Sequence, residues 1–238
     1  LNLGQGNSIY LWERRRVDSS AQAIINAIVA AGVSPTVVQQ TAINNFVIGL
    51  KTDGLWTMIV ALYGYVGGTA GTHAINWKNP GTNNIVWAGT VTHNANGITG
   101  DGTTGYGETG ITPAAVGTLG GGSVYMRALP AGDNNAPFGM ANTGGTLQYG
   151  IIFNVAFSQN YGRWGVAASL ALVSAAPTVG MFSVNRTTTT ALRYDKNGVS
   201  AATDATLSAT AASSEFTFPV LARNDGGSVG NFSEENDC

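Results

Sequence analysis

Short runs rich in Val, Ile, Thr, Phe and Tyr fill the chain from about residue 64 onward, and clusters of Gly, Asn, Asp and Pro separate them. The runs recur about every 8–12 residues, a spacing typical of a β-sandwich or barrel. The Asn197-Gly198 pair within this series tolerates the positive φ angles of a tight hairpin turn. We therefore predict a mainly β fold, with strands near 84–89, 105–109, 122–129, 138–142, 146–157, 162–167, 179–186, 189–195 and 216–222.

Charged side chains are scarce in this chain. They make up 10% of its 238 residues, whereas soluble domains average roughly 25%. This composition excludes a coiled coil, an acidic tail and a charge-driven disordered region. The net charge is -2, and the one basic cluster, Arg14-Arg15-Arg16, is typical of a solvated arm. We therefore predict no nucleic-acid partner, because phosphate binding needs a basic stripe.

Helical signals precede the β-rich part of the chain. Ser19 or Ser20 can cap a helix over 21–31 that stops at Gly32. Ser34 followed by Pro35 predicts the N-cap and first residue of a second helix. Its apolar stripe consists of Val38, Ile43, Phe46, Val47 and Leu50.

A third helical piece is predicted after Asp53, which can cap a short helix through residue 62.

No segment reaches the ~18 consecutive apolar residues that span a bilayer, so we predict no membrane span. These signals divide the chain into an N-terminal arm (1–18), a helical segment (19–64) and a β-sandwich (65–238).

The arm contains an isolated apolar tetrad, Ile9-Tyr10-Leu11-Trp12. Because one β-branched and two aromatic residues favour a strand, and no core pattern follows them, this tetrad is predicted to pair with a sheet elsewhere.

Several motifs resemble a group of bacteriophage structural proteins that carry a concanavalin A-like, or laminin G-like, jelly roll. They are NFVIGLKTDGLW (45–56), VGGTA (66–70), WKNP (77–80), THNANGITGDGTTGYG (92–107), YDKNGV (194–199) and ARNDGG (222–227). The motif 92–107 is similar to the first long sandwich strand and the Gly-rich turn before it, and the last two motifs are similar to a hairpin and a late loop. The resemblance covers about residues 41–235 and implies a virion component, such as a fibre protein or adhesin.

The last part of the chain departs from that resemblance. Laminin G-like sandwiches continue after the late loop with a strand beside the first one, whereas this sequence ends at Cys238. Two interpretations stay open: the given chain is a piece of a longer protein, or the sheet has an open position. An open position invites a strand from another chain, and the Ile9–Trp12 tetrad is a candidate donor.

The same sandwich fold also hosts glycosidases, which need catalytic carboxyl groups. Retaining hydrolysis needs two carboxyl groups about 5–5.5 Å apart, whereas Glu13, Glu108 and Glu215 are each isolated in the sequence. His73 and His93 lack a nucleophile motif nearby, and we predict hydroxyl or amide partners for both. The chain is therefore predicted not to be an enzyme.

No cofactor is predicted, and calcium is the one cation that the sequence leaves open. Some relatives of the resembled fold bind it between loops through Asp and Asn oxygens. The spacing of an EF-hand is missing, but oxygens are offered by Asp101, Asp133, Asn134, Asn135, Asn224 and Asp225.

Surface recognition of glycans remains as a candidate activity. Sugars bind to aromatic faces and planar amides, neither of which needs a catalytic pair. The candidate residues are Tyr149, Tyr161, Trp164, Asn134, Asn135 and Asn160. The alternative is that these aromatic rings fill the core. Two sequons, at Asn185 and Asn231, accept glycans only in a secretory pathway that modifies them.

The sequence thus predicts a non-enzymatic structural protein of a virion or extracellular assembly, which self-associates and whose sandwich binds host-surface glycans. The alternative is an extracellular filament subunit in which the arm of one protomer completes the sandwich of the next. A carbohydrate-active enzyme is the third and weakest interpretation, because its acid/base pair is missing.

Overall fold

A computed structural model describes residues 17–128, 135–154, 159–166, 178–205 and 215–230 of the chain. The predicted strand Ile9–Trp12 lies outside the described residues, as do Asp133, Asn134 and Asn231.

In the described ranges, three helices precede the first strand and a fourth lies among the strands. They are α1 (Ser19–Ala30), α2 (Val37–Thr52), α3 (Ala70–His73), β1 (Val86–Ala88), β2 (Val91–Asn94), β3 (Gly97–Gly100), β4 (Tyr106–Glu108), α4 (Pro113–Val116), β5 (Gly121–Met126), β6 (Asn135–Ala141), β7 (Gln148–Asn154), β8 (Gln159–Val166), β9 (Gly180–Arg186), β10 (Leu192–Lys196), β11 (Val199–Asp204), β12 (Pro219–Val220), β13 (Arg223–Asp225) and β14 (Ser228–Gly230).

Two curled sheets form the body of the molecule. The larger sheet has the order β1-β4-β12-β6-β13-β14, with β7 added beside β6 and β8 beside β7. The smaller sheet has the order β11-β10-β9-β5, and β2 and β3 form a separate hairpin. The sheets curl into a half-barrel. The predicted mainly β fold is confirmed and is consistent with a sandwich, while the jelly-roll connectivity stays a prediction.

The sandwich core lies between the two sheets. Alternate residues of β7, β9 and β10 point to it, as the two-residue period of a strand requires. Its buried members are Ile111, Met126, Met140, Tyr149, Ile151, Phe153, Trp164, Phe182, Val184, Leu192, Tyr194 and Phe218.

A second core joins the two long helices. Ile24 and Ile28 of α1 pack with Ile43 and Val47 of α2. Ile75 and Trp77 belong to the same cluster, so the packed helical unit extends past residue 64, where the sequence placed its boundary.

The caps of the long helices differ from those predicted. Asp18 caps α1 by accepting a hydrogen bond from the Ser20 amide, and Thr36 caps α2 in a reciprocal capping box with Gln39. The predicted caps at Ser19 or Ser20 and at Ser34 are therefore wrong by one or two residues. A carboxylate is a strong cap, and Thr36 has the Gln three residues later that a capping box needs.

The helix predicted after Asp53 is wrong. Asp53 instead ends α2, and its amide donates to the Gly49 carbonyl. Gly54 follows with a φ of 72°, a left-handed value that stops a helix, and the Leu55 amide folds back onto the Leu50 carbonyl.

Each of the nine predicted strand ranges contains or overlaps an observed strand. The predicted hairpin turn is also confirmed, since Asn197 and Gly198 have φ angles of 50° and 78° between β10 and β11. The β2–β3 hairpin lies where the resemblance placed one long strand, and β13 lies where it placed a loop. No helix in the described ranges is long and apolar enough to cross a membrane.

Candidate functional site

The two long helices carry an uninterrupted neutral stretch of sequence. From residue 19 to residue 50 there is no Asp, Glu, Lys, Arg or His. A helix on the surface of a soluble protein ordinarily places charged side chains on its outer face. The outer faces of α1 and α2 therefore lack the usual barrier to contact with another apolar surface.

The outward side of α2 is apolar at several positions. Val37 and Val38 are 77% and 78% exposed, and Ile48 is 41% exposed. Small or uncharged exposed residues lie between them, and α1 adds its own exposed neutral side chains. We call this surface the neutral helical face, and its residues are Gln22, Ala23, Asn26, Val29, Val37, Val38, Thr41, Ala42, Asn45 and Ile48.

One ion pair joins the residues on either side of the neutral stretch. Asp18 precedes the stretch and Lys51 follows it, and the Lys51 Nζ lies 2.7 Å from an Asp18 carboxylate oxygen. The same ammonium donates to the Ser20 hydroxyl, and the Asn44 side chain accepts from the Asp18 amide. The bond from Lys51 lowers the pKa of Asp18. The pair ties the start of α1 to the end of α2, so the charges that border the face neutralise each other.

The predicted glycan residues do not come together. Tyr149 and Trp164 are 3% and 1% exposed and lie in the sandwich core, where their rings meet edge to face at 5.5 Å. Trp164 also stacks on Phe218. These rings fill the core, as the alternative interpretation required, and neither is presented to a ligand.

The remaining members of that set are divided between the two sides of the sheet. Asn135 and Asn160 are buried, at 6% and 2% exposure. Tyr161 is half-buried on the opposite side of β8 from Trp164, and the Arg163 guanidinium lies 5.5 Å from its ring centroid.

The two histidines of the chain lie side by side. His73, the last residue of α3, is fully buried, and its Nδ1 is 3.2 Å from the Nδ1 of His93 on β2. The Gly68 amide donates to His73 Nε2, so the neutral ring carries its proton on Nδ1, facing His93. The Trp87 ring packs edge to face against His93 at 4.7 Å. The predicted hydroxyl or amide partner exists for His73 as a backbone amide, but its other neighbour is an imidazole.

This pair is suited to a structural role. Burial and the neighbouring His93 lower the pKa of His73 to about 4, against a smaller opposing effect of a Tyr65 backbone hydrogen bond. Burial also lowers the pKa of His93. The described residues hold no group of three or more His, Cys, Asp or Glu that could bind a metal ion.

In the described part of the chain, the Asp and Asn oxygens predicted as calcium ligands make hydrogen bonds or ion pairs within the protein. The Asp101 carboxylate accepts from the amides of Thr103, Thr104 and Gly105. These bonds and a bond from the Thr104 hydroxyl, which is the largest cause, lower the pKa of Asp101.

At the other predicted calcium position, the Asn224 side-chain oxygen accepts from the Gly227 amide. Asp225 pairs with Arg223. The structure does not bring Asp101 together with these residues, and Asp133 lies outside the described ranges.

Asn185, the sequon residue within the described chain, lies on β9 in the interior of the smaller sheet. Its side-chain amide donates to the Ser183 hydroxyl at 3.3 Å, and β9 pairs with β5 and β10 on its two sides.

No protein-family model, no characterised protein and no solved structure matches this chain. The resemblance to bacteriophage structural proteins therefore stays a prediction. Sequence reasoning missed the neutral helical face, although its signal, a run without charge between Asp18 and Lys51, is visible in the sequence.

Proposed function

We propose that this protein is a non-enzymatic structural subunit of a virion or other extracellular assembly, and that copies of it associate through the neutral helical face. The observation that carries the proposal is the absence of charge from residue 19 to residue 50, combined with exposed Val37 and Val38.

Self-association is favoured by the composition of the face. Two copies that meet there bring no like charges together and leave no ion unpaired, so apolar contact is not opposed by charge desolvation. A twofold-related pair uses the same patch on both copies. The small side chains of Ala42 and Thr41 beside Val38 let two helices approach closely.

The carboxylates also support a structural role. Glu108 accepts from the Thr217 hydroxyl, and Glu215 accepts from the Thr143 amide. Asp195 pairs with Arg193. These acids stabilise loops and strands in separate places, whereas glycoside hydrolysis needs two of them facing one ligand.

The test introduces a charge into the face. Val38→Glu places a carboxylate in the first turn of α2, where it suits the helix dipole and leaves the fold intact. We expect the self-association constant, measured by sedimentation equilibrium over a concentration series, to fall about tenfold or more, because an unpaired carboxylate resists burial.

Leu119→Glu is the matched control, because Leu119 is 57% exposed in the loop between α4 and β5 and lies outside the neutral helical face. It should associate like the wild-type protein. A wild-type protein that stays monomeric at all concentrations, or a Val38→Glu variant that associates unchanged, would contradict the proposal.

Strand exchange is the second candidate mode of assembly. Within the described ranges β5 and β11 are the two ends of the smaller sheet, and each offers one side to a strand such as Ile9–Trp12. Because Asp18 caps α1, a deletion that tests this mode should remove residues 1–16 only. Polymers that persist in the deletion variant and disappear in Val38→Glu favour the helical mode; the reverse result favours the arm.

A further inference from the structure

A row of four residues crosses the side of the larger sheet that faces away from the core. Arg223 of β13 pairs in register with Gly139 of β6, Gly139 with Gly150 of β7, and Gly150 with Arg163 of β8. Three strand steps of roughly 4.8 Å place the two arginine Cα atoms about 14 Å apart. Two arginines thus stand at the ends of a floor that has no side chains.

Both arginines lie on the outer side of the sheet. A Cβ on Gly162, next to Arg163, would meet the core residues Tyr194 and Val184, so Arg163 points the other way. The Arg223 stem leans over the floor, since a Cβ on Gly139 would lie 3.2 Å from its Cγ.

The floor itself requires glycine. Gly150 has a φ of 123°, and a Cβ there would lie 2.4 Å from the Phe138 carbonyl oxygen. This close approach of β6 and β7 keeps the space between the two guanidinium groups free of side chains.

Three buried polar atoms around this floor have no hydrogen-bond partner in the described part of the chain. They are the Nε atoms of Arg163 and Arg223 and the Oε1 of Gln148, which lies two residues before Gly150 on the same side of β7. The Gln148 amide nitrogen donates to the Gly145 carbonyl, which fixes Oε1 as the acceptor that remains. Buried polar atoms normally have partners, so these three point to a ligand with both an acceptor and a donor.

The charges around the floor do not balance. Arg223 pairs with Asp225 through Nη2, which leaves one positive charge in excess among Arg163, Arg223 and Asp225. Burial lowers the pKa of Arg163, and repulsion from Arg223 lowers it further, against the opposing effects of Tyr161 and Asp225. The two cations are thus close enough to repel each other, and an anion between them would remove that repulsion.

Room for a larger ligand adjoins the row. A shallow depression of about 270 Å³ begins at Ala141 and Asp225 and continues along the glycines of the 142–145 turn. Its wall is formed by three glycines with Ala141, Asn142 and Asp225, and more of the exposed lining is apolar than polar, which suits an uncharged part of a ligand.

We propose that this arginine row, formed by Arg163, Arg223 and Gln148 over the Gly139–Gly150 floor, binds an anionic saccharide. Its oxyanion lies between the Nε–H groups of the two arginines, and a ligand hydroxyl donates to Gln148 Oε1. The Arg163 edge of Nε and Nη matches the two oxygens of a carboxylate or sulfate, whereas Arg223, whose Nη2 is paired with Asp225, adds its Nε–H. This site goes beyond the proposed assembly and lies on a different part of the molecule from the neutral helical face.

The experiment measures binding of three soluble oligosaccharides by titration calorimetry at low ionic strength. The probes are an oligomer of galacturonic acid, which carries carboxylates, dextran sulfate, which carries sulfate esters, and neutral dextran. We expect binding of at least one charged probe and none of dextran; which charged probe binds more tightly identifies the oxyanion.

Arg163→Gln should weaken that binding about tenfold or more, because it removes a charge-assisted hydrogen bond to the oxyanion. Arg163→Lys keeps the charge but loses the planar fork, so it should also bind more weakly and serves if Arg163→Gln fails to fold. Arg193→Gln, the same charge change on the smaller sheet, should bind as the wild-type protein does.

The proposal is overturned if neither charged probe binds, if dextran binds as tightly as they do, or if both Arg163 variants keep the wild-type affinity. An equal loss in Arg193→Gln would also overturn it, since binding would then follow overall charge. Because Val38→Glu leaves this sheet untouched, it should retain saccharide binding, which separates failure of this site from failure of the assembly proposal.

Discussion

The helical pair and the β-sandwich use the same charge-poor composition in opposite ways. The helices exclude charge from residues 19–50 and present Val37 and Val38 to the outside. The sandwich places charge inside its structure, with Arg186 at 3% exposure and Asp195 at 7%. In the helical pair, low charge therefore leaves an outer face without a charge barrier to contact. In the sandwich, Arg186 and Asp195 are buried and held in fixed positions.

This contrast teaches that overall composition says little about where polarity is used. The Arg186 guanidinium donates to the carbonyls of Trp164, Gly165 and Thr189, so it fastens the end of β8 to the loop after β9. The helices achieve a comparable connection with Asp18 and Lys51 at their margin. One region is fastened from within and the other at its border.

The largest expected effect tests whether the two cores are separate. Trp164→Ala should lower the free energy of unfolding of the sandwich by about 3–5 kcal/mol, because it empties a fully packed site. Amide hydrogen exchange should rise in β7 and β8 and stay unchanged in α1. Ile28→Ala, which removes a buried side chain from the helical core, should show the converse pattern. Exchange that rises equally in both regions for either variant would make them one cooperative unit.

The next effect is a pH dependence at the junction of helix α3 and the β2–β3 hairpin. The pKa of His73 is lowered in the folded state to about 4, whereas in the unfolded chain it is ordinary, about 6.5. The unfolded chain therefore takes up a proton first as the pH falls. The contribution of neutral His73 to the free energy of unfolding is fully present above about pH 6.5. It is lost as the pH falls from about 6.5 to 4, and the loss is at most about 3 kcal/mol.

Urea unfolding at a series of pH values measures this loss, and His73→Asn should flatten the profile in that window. His93→Gln should shift its lower limit upward, because it removes the charge repulsion that contributes to the low pKa of His73. A wild-type stability that is constant from pH 6.5 to 4 would contradict the buried neutral pair.

A smaller effect concerns the ion pair at the border of the neutral stretch. Asp18→Ala removes both the cap of α1 and the partner of Lys51, and should cost about 1–2 kcal/mol in thermal unfolding. Asp18→Asn keeps a capping oxygen and should lose about 0.5 kcal/mol. Since the pKa of Asp18 is lowered in the folded state, this contribution is present above about pH 4 and lost below it. Equal losses in both variants would show that the ion pair, and not the cap, stabilises the helices.

The smallest effect is on the stability of the monomer with a charge on the neutral helical face. Val38→Glu should change the free energy of unfolding by no more than about 0.5 kcal/mol, because Val38 is 78% exposed. Circular dichroism during urea unfolding, at a concentration too low for association, measures it. A loss above about 2 kcal/mol would place Val38 within a packed core and remove the contrast between the regions.

Sequence patterns predicted the strands well because the two-residue alternation and turn residues act locally. The Asn197-Gly198 turn depends on its own backbone preferences and was found without knowledge of the fold. The helix after Asp53 was predicted wrongly because Asp is a favoured N-cap, whereas here Asp53 is the residue that follows the last turn of α2. Gly54 and the fold-back of Leu55 decide in favour of the end of α2.

The sites depended on information that lies beyond local patterns. Tyr149 shares its side of β7 with Ile151 and Phe153, all of them buried, so strand parity alone could have placed it in the core. The row from Arg223 to Arg163 could not be found in this way, because it depends on the register of four strands, of which β13 is far in sequence from β6, β7 and β8.

The neutrality of the helical face has a consequence for the conditions under which copies of this chain would stay together. Salt weakens contacts between exposed charges over roughly 10 Å at 0.1 M, but between Asp18 and Lys51 there is no charge for it to screen. Salts such as sulfate strengthen apolar burial. Association through α1 and α2 should therefore persist or tighten at high salt concentration. A ligand held by Arg163 and Arg223 would be released under the same conditions. One change of ionic strength thus acts on the two surfaces in opposite directions.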